Sequence, residues 1–484
     1  MSNDTYETAL QLAKKIRSAE VSAKELTQTL IERIQTYDTQ INAVVVRTFE
    51  DAIKNADLAD AAVASGKEVG PLHGVPMTIK ESYVMAGTPS TWGLEAFRDN
   101  LSRKDGLAVR RFKEAGAIFL GKTNVPSELA DFQSYNPIYG VTGNPYDVSR
   151  TPGGSSGGSA AALAAGFSAL EAGSDIGGSI RNPAHFCGVY GHKPTYGIVP
   201  MQGHELVPGI PEADLAVCGP LARSAEDLAV ALDIMARPTA RDAIAVQFQL
   251  PPADFSRLKD LRVAIWATDD VAPVDQETEE RVHRVADILR NEGATVSDSA
   301  RPNFDSAMAH ANYQTLLTAV MTSAMRPAEV AEAKVAADAL DPTDKSISAV
   351  NLRAKVMSHR EWIRTNYKRE KLRRAWEEFF KDWDILVCPQ MATSAFPHDH
   401  RPFADRTVMV DESIQPYFKQ IFWAGIVVNA YLPSTVFPTG LSSSGLPIGL
   451  QAVSGQYRDH RTIEFARQIT QHIGGFEPPR QLQK

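Results

Sequence analysis

Hydrophobic and polar residues alternate between helical and strand spacing along the whole chain. Leu26, Leu30 and Ile34 recur at helical spacing behind Ser22, and Ser22 with Glu25 is typical of a helix N-terminus. Similar patterns predict strands at 42–46, 75–79, 117–120, 262–266 and 385–387, a hairpin from 434–437 and 448–453, and helices at 49–65, 107–114, 224–235, 276–291 and 459–471. Helical patterns also fill 306–380, with a break near residues 341–342. This interleaving predicts an α/β protein with one large mixed sheet.

The stretch 151–191 departs from this pattern because it is rich in Gly, Ser and Ala. A flexible linker would lack the apolar runs at 160–167 and 168–172 that lie inside it. The composition therefore predicts backbone that packs so closely that larger side chains do not fit.

Composition narrows the class of protein. The chain has 484 residues, of which 43% are hydrophobic, and its net charge of −8 disfavours binding to nucleic acid or an anionic membrane. No run of about 18 apolar residues predicts a membrane span, and the N-terminus has no apolar signal-peptide core. Cys187, Cys218 and Cys388 form no CxxC pair, so we expect small buried thiols, no metal or cofactor, and a cytoplasmic location.

Two short motifs compete as functional signals, and both fit poorly. Residues 116–123 match the phosphate-loop string, but the positions that should form a turn are apolar and read as a strand. Residues 153–157 match the G-x-S-x-G nucleophile elbow, but the two prolines in 144–152 disfavour the strand that must precede it.

A longer set of motifs carries a more specific signal. It comprises Gly74-Val-Pro-Met-Thr-Ile-Lys80-Glu, Gly121-Lys-Thr-Asn124, Gly153-Gly-Ser-Ser-Gly-Gly-Ser159, Gly173-Ser-Asp-Ile-Gly-Gly-Ser179-Ile-Arg-Asn-Pro-Ala184, Cys187-Gly-Val-Tyr-Gly-His-Lys-Pro-Thr195 and Gly445-Leu-Pro-Ile-Gly-Leu-Gln451. In this order, over about residues 8–475, the motifs resemble the amidase-signature family. The resemblance implies the amidase-signature fold, with a single domain over 1–484, a signature core at about 70–200 and a helical, substrate-shaping region at about 300–380.

The resemblance also implies a Ser–cis-Ser–Lys triad. It places the nucleophile on Ser179, the proton relay on Ser155 after a cis peptide bond from Gly154, and the base on Lys80. The chemistry is reasonable because a serine hydroxyl needs a base, and a lysine can act as one only when burial keeps it neutral.

The glycines before the nucleophile suit the same chemistry. The backbone amides of Ile176, Gly177, Gly178 and Ser179 are expected to form the oxyanion hole, since side chains there would obstruct the approach. Asp175 and Arg181 bracket this loop and are expected either to hold it by charge-assisted hydrogen bonds or to form an ordinary ion pair.

By their place relative to these motifs, the resemblance implies that the segments 129–136 and 208–217 line the acyl and leaving-group pockets. Leu129, Tyr135, Asn136 and Ile210 are the candidate pocket residues. With Phe132 and Leu215, they favour an apolar or aromatic ligand, although the same residues would also suit an ordinary core. His192 replaces an apolar residue of the family pattern and is interpreted as a buried histidine with satisfied hydrogen bonds.

These observations predict an amidase that hydrolyses a carbon–nitrogen bond of a small apolar or aryl amide, with esters and carbamates as further substrates. The expected partner is the small-molecule substrate, and a homodimer is compatible with the sequence. The alternative is a glutaminase-type subunit of a tRNA-dependent amidotransferase complex. A catalytically silent binding module is a third hypothesis, which the intact Lys80, Ser155 and Ser179 disfavour.

Overall fold

The computed structural model describes residues 3–483 and is built around one large sheet. In chain order the strands of this range are β1 (Val44–Arg47), β2 (Pro76–Lys80), β3 (Ile118–Thr123), β4 (Tyr135–Asn136), β5 (Gly140–Val141), β6 (Leu170–Asp175), β7 (Tyr190–Lys193), β8 (Val217–Ala222), β9 (Arg262–Ile265), β10 (Thr295–Ser297), β11 (Ile385–Pro389), β12 (Thr407–Val410), β13 (Ser413–Pro416), β14 (Ser434–Leu441) and β15 (Pro447–Val453). Eight of them form a sheet in the order β10-β9-β11-β15-β14-β7-β8-β6. β9 runs parallel to both its neighbours and the other pairs are antiparallel. The predicted α/β class with a large mixed sheet is confirmed.

Helices pack around this sheet and against one another. Those of residues 3–483 are α1 (Ala9–Arg17), α2 (Ala23–Ile41), α3 (Phe49–Ala64), α4 (Leu107–Glu114), α5 (Gly157–Ala164), α6 (Arg181–Phe186), α7 (Ala225–Met235), α8 (Gln276–Asn291), α9 (Ser306–Met321), α10 (Pro327–Asp338), α11 (Ile347–Lys355), α12 (His359–Asp382), α13 (Phe422–Val428) and α14 (Asp459–Ile473). α2 begins as predicted, because Ser22 accepts a hydrogen bond from the backbone N–H of Glu25 at 2.9 Å.

The Gly/Ser/Ala-rich stretch contains α5, β6 and α6, and it is close-packed as predicted. Every residue of α5 is buried. A Cβ atom added to Gly158 of α5 would lie 2.3 Å from the backbone nitrogen of Asn124, so only glycine fits. Small residues here allow the helix to approach the neighbouring backbone directly.

A second sheet, in the order β1-β3-β2, carries the lysine strand. β2 runs parallel to β3, with Lys80 opposite Thr123. The phosphate-loop string at 116–123 runs into β3, so its apolar positions form a strand and not a turn. No strand lies between residues 142 and 156 either, which rules out the nucleophile-elbow arrangement around Ser155.

Several predicted boundaries differ from the structure for local reasons. Asn42 ends α2 in the left-handed conformation (φ 59°), so the strand predicted from 42 begins at Val44. β14 continues to Leu441, inside the segment predicted as turn. The region 306–380 has breaks at 322–326 and 356–358 besides the predicted one, because Pro327 and the capping residue Ser358 each start a new helix.

Candidate active site

Lys80 is the last residue of β2, and its side chain is completely buried. Its Nζ donates hydrogen bonds to Ser155 Oγ at 2.7 Å and to Ser174 Oγ at 2.9 Å. Burial lowers the pKa of Lys80 to about 7, because an ammonium group loses its hydration there. A large fraction of this amine is therefore neutral near pH 7 and able to accept a proton.

Ser155 lies just before α5, and the Gly154–Ser155 peptide bond is cis, as the resemblance implies. The N–H of Gly154 donates to Asn182 Oδ1 at 3.0 Å. A Cβ atom on Gly154 would lie 2.4 Å from the carbonyl oxygen of Asp131, so the chain needs glycine here. These contacts fix the backbone of Ser155, whose hydroxyl lies within hydrogen-bond distance of Lys80 Nζ.

Ser179 lies at the end of the loop that joins β6 to α6 and is 8% exposed. The backbone N–H of Ser156 donates to the carbonyl oxygen of Ser179 at 3.0 Å. This bond joins the segment of Ser155 directly to the segment of Ser179. The structure thus joins Lys80 to Ser155 by a side-chain hydrogen bond, and the segment of Ser155 to the segment of Ser179 by a backbone hydrogen bond.

Asp175 and Arg181 form a buried ion pair that organises this loop. Arg181 Nη2 lies 3.0 Å from Asp175 Oδ1, and its Nε donates to Oδ2 at 3.0 Å. Asp175 also accepts from the backbone N–H groups of Gly178 at 2.9 Å and Ile180 at 3.1 Å. Although burial alone would raise it, Arg181 and these donors keep the pKa of Asp175 below its usual value. This ion pair, with its hydrogen bonds to the backbone, therefore fixes the conformation of the loop of Ser179.

The four amides predicted for the oxyanion hole are not equivalent. The amide of Gly178 is used by Asp175, so it supports the loop. Within residues 3–483, the amides of Ile176, Gly177 and Ser179 have no hydrogen-bond acceptor. Backbone donors that are held in place without an acceptor are what a developing oxyanion requires.

The predicted pocket residues have different environments. Leu129 is half-buried and has a positive φ of 58°. Tyr135 is half-buried, accepts from Arg406 Nη2 at 2.7 Å and stacks on His400. Ile210 is 54% exposed and lies at the surface.

Asn136 is buried, and its side-chain amide is fully engaged by the protein. Its Nδ2 donates to Asn124 Oδ1 and to the carbonyl oxygen of Val125, while its Oδ1 accepts from the N–H groups of Ile138 and Tyr139. These four hydrogen bonds hold the local chain and favour a structural role over substrate contact.

The side chains beside the oxyanion loop are mostly apolar. Ile176 packs against a hydrophobic cluster that includes Phe132, Leu215 and Ile421. Tyr313 donates its hydroxyl hydrogen to the carbonyl oxygen of Ile176 at 2.8 Å. The loop that bears Ser179 is therefore bordered by aromatic and aliphatic groups.

Sequence reasoning missed three residues that contact this site. Ser174 hydrogen-bonds Lys80, Asn182 binds Gly154, and Tyr313 of α9 holds Ile176. A polar residue in a buried strand was a signal for Ser174, and Asn182 stands within the quoted motif. Nothing in the local sequence of α9 indicated that Tyr313 reaches the loop, because the two are far apart in the chain.

Other sequence expectations have structural counterparts. His192 is buried between Thr435 and Asp459, with ring nitrogens 2.9 and 3.2 Å from their oxygens, which confirms a satisfied core histidine. All three cysteines are free and buried. Among residues 3–483, no group of three or more His, Cys, Asp or Glu side chains could hold a metal ion. None of the helices in the described part of the chain is both long and apolar enough to span a membrane.

Comparisons with known proteins agree with this geometry. The family model described as Amidase matches residues 25–463. Three curated relatives cover nearly the whole chain: an indoleacetamide hydrolase of Bradyrhizobium diazoefficiens (33% identical; 96% of this chain, 86% of the relative), a glutamyl-tRNA(Gln) amidotransferase subunit of Cyanothece sp. (30%; 94% and 96%) and fatty-acid amide hydrolase 2-B of Danio rerio (32%; 98% and 90%). The solved structure of a 6-aminohexanoate cyclic dimer hydrolase with substrate superimposes with a TM-score of 0.78 at 26% identity, covering 99% of this chain and 100% of that one. The chain belongs to the amidase family, the amidase-signature hydrolases of non-peptide carbon–nitrogen bonds.

Proposed function

We propose that this amidase hydrolyses a small apolar or aryl amide through a covalent acyl-enzyme on Ser179, with Ser155 as proton relay and Lys80 as base. The observation that carries this proposal is the 2.7 Å hydrogen bond from the buried Lys80 amine to Ser155. A lysine with a pKa of about 7 beside a serine at the N-terminal side of a buried helix is suited to moving protons.

In this mechanism Ser179 Oγ attacks the amide carbonyl carbon. Its proton passes to Ser155 Oγ while the proton of Ser155 passes to Lys80 Nζ. The unpaired amides of Ile176, Gly177 and Ser179 stabilise the negative charge on the carbonyl oxygen. The ammonium group of Lys80 then returns a proton through Ser155 to the leaving amine, and water attacks the acyl-enzyme by the same route.

The apolar surroundings of the oxyanion loop support the substrate class. Ile176 packs against the hydrophobic cluster that includes Phe132, Leu215 and Ile421, and burial of an aryl or alkyl group against this cluster would contribute about 25 cal/mol for each Å² removed from water. Two carboxylates of the candidate segments are paired with arginines, Asp131 with Arg406 at 2.7 Å and Asp214 with Arg369 at 2.7 Å, and the third, Glu212, accepts from the backbone N–H of Met201 at 2.7 Å. A charged amino acid would therefore find fewer free partners here than an uncharged amide. Esters and carbamates have the same carbonyl geometry and are proposed as further substrates.

The glutaminase-type subunit is a second candidate because of one specific observation. A glutamyl-tRNA(Gln) amidotransferase subunit matches 94% of this chain over 96% of its own length. On this alternative, the purified chain alone would release ammonia from glutamine poorly and would leave aryl amides intact.

The test is mass spectrometry of the pure protein after treatment with a fluorophosphonate, followed by peptide mapping and turnover of a panel of amides, esters and carbamates. We expect one adduct on Ser179, its loss in Ser179→Ala, and turnover of uncharged aryl amides without any partner chain. An adduct on Ser155 would overturn the assignment of the nucleophile. Turnover restricted to glutamine would favour the second candidate.

A homodimer, a lack of interaction with nucleic acid and a cytoplasmic location stay predictions. Light scattering of the purified protein measures the oligomeric state directly. We expect a mass of either 52.8 kDa, for a monomer, or twice that value.

A further inference from the structure

Glu171 is a carboxyl group of β6 that is completely buried. Within the described chain, neither of its oxygens makes a hydrogen bond of normal geometry. Its polar neighbours are the hydroxyl groups of Thr78, Ser159 and Thr123. A buried carboxyl group with so little pairing is costly to the folded state, which suggests that it has another use.

The position of Glu171 links it to the three elements that carry the proposed triad. Thr78 lies two residues before Lys80 on β2, so both side chains point to the same side of that strand. Ser159 lies in the first turn of α5, four residues after Ser155. Glu171 itself lies on β6, the strand that leads into the loop of Ser179.

We propose that Glu171 is a positioning residue whose charge acts on Lys80 and thereby sets how much of the lysine is neutral and free to act as a base. The inference rests on the proposed function, in which Lys80 takes the proton of Ser155. Glu171 does not touch the reacting atoms in this role and acts only through the charge on Lys80.

The electrostatics of the cluster support this pairing. Burial raises the pKa of Glu171 to about 8 against the effect of the three hydroxyls, and burial lowers that of Lys80 to about 7. The other titratable groups coupled to Lys80 or Glu171 ionise far from neutrality. His204 has a pKa of about 3, and the pKa of Asp175 lies below its usual value. Cys218 has a pKa of about 12, and the pKa of Tyr83 lies well above its usual value. Of the groups that act directly on each other here, only Lys80 and Glu171 change charge near pH 7–8, while Lys193, which acts on Asp175, also has a pKa of about 7.

Two such groups titrate as a pair, so their apparent pKa values belong to both. Near neutral pH, the proton that remains after the first step lies either on Lys80, whose ammonium form the Glu171 carboxylate favours, or on Glu171, giving a neutral amine. Only the second form has a base ready. The neutral fraction of Lys80 should therefore rise with pH in two steps, and it is complete only after Glu171 has also lost its proton.

The test is the pH dependence of kcat/KM, together with the rate of fluorophosphonate labelling, in the wild type and Glu171→Gln. Glutamine keeps the shape of the side chain but cannot attract the ammonium group of Lys80. We expect a broad, two-step acidic limb in the wild type. In Glu171→Gln we expect a single step whose midpoint lies lower by about one pH unit, because removing a nearby negative charge lowers a lysine pKa by that order. Superimposable profiles would overturn the inference.

A second variant keeps the test decisive if Glu171→Gln does not fold. Thr123→Val removes one hydroxyl that favours the ionised carboxylate. It should move the upper step to higher pH, and an unchanged upper step would contradict the inference.

Asp227→Asn is the matched control, since Asp227 is another buried carboxylate, bonded to the N–H groups of Ala9 and Leu10 at the start of α1. Its profile should equal that of the wild type.

The same experiments distinguish failure of this inference from failure of the proposed function. If Lys80→Met still hydrolyses amides at the wild-type rate, Lys80 is not the base and both fail. If Lys80→Met is inactive, Ser179 is labelled in the wild type and the profile of Glu171→Gln is unchanged, only the role of Glu171 fails.

Discussion

Residues 151–195 and the helices α10 and α11 are constructed in opposite ways. In 151–195 every residue except Ile176 is buried, and most side chains are small. In α10 the only buried residue is Ala333, and in α11 only Ala349 and Ala354 are buried. The first region has almost no freedom to accept a new atom, whereas the second is an outer layer whose side chains are mostly exposed or half-buried.

The difference indicates that the residues proposed for catalysis lie in a rigid, close-packed region, apart from the exposed helices. Serine and lysine can exchange protons only if their atoms stay within hydrogen-bond distance, and a close-packed backbone provides that rigidity. Exposed helices that make few contacts tolerate substitution, so selection can alter them without disturbing the reacting groups.

Lys80→Met should lower kcat by about 10²–10⁴-fold, because the proposed mechanism loses its base. Lys122→Met is the matched control, since Lys122 is an equally buried lysine whose Nζ donates to Ser90 Oγ and the carbonyl oxygen of Pro89 instead of to a triad residue. Steady-state turnover of an aryl amide, with circular dichroism to check folding, measures both. A similar loss of kcat in the two folded variants would mean that any buried lysine matters equally.

Asp175→Asn should lower the free energy of unfolding by about 3–5 kcal/mol, because it leaves the buried guanidinium group of Arg181 without its counter-ion. The matched control is Asp338→Asn in α10, where the pair with Lys334 is 3.4 Å long and both side chains are about two-thirds exposed. Denaturant unfolding should show a change below about 1 kcal/mol for this surface pair. Equal changes in the free energy of unfolding for Asp175→Asn and Asp338→Asn would show that burial does not make the first ion pair more important.

Gly158→Ala should destabilise the protein by about 1–3 kcal/mol through overpacking against the backbone of Asn124. Alanine is the better helix former by about 1 kcal/mol, so propensity alone predicts the opposite sign. The midpoint of urea unfolding distinguishes destabilisation by overpacking from stabilisation by helix propensity. A stabilised variant would show that α5 can move away from its neighbours.

Val335→Ala in α10 should change the free energy of unfolding by no more than about 0.5 kcal/mol, since Val335 is 72% exposed. Its kcat on a small amide should equal the wild-type value. A marked change in KM with an unchanged unfolding midpoint would show instead that α10 contributes to substrate binding, as expected for the region 300–380.

Local patterns predicted most of the helices and the strands β1, β2, β3, β9, β11, β14 and β15, but no strand was predicted at β6, β7 or β8. The helices at 276–291 and 225–235 begin and end where their caps and periodicity indicate. Local patterns failed where tertiary packing decides the structure. The two extra breaks in 306–380 and the surface position of Ile210 depend on packing that no local pattern carries. Asn136 was a pocket candidate by its place in the chain, but its four internal hydrogen bonds come from residues that only the fold assembles.

Periodicity and ordered motifs are local properties of a chain, and they were enough to predict the α/β class, the family and the candidates Lys80, Ser155 and Ser179. Three features depend on the packed fold: burial lowers the pKa of Lys80 to about 7, the amide of Gly178 donates to Asp175, and Glu171 lies among the elements of the proposed triad with no hydrogen-bond partner in residues 3–483. Burial, and the distances between groups far apart in the chain, arise only when β2, α5 and β6 pack together. The charge on a side chain depends on that packing.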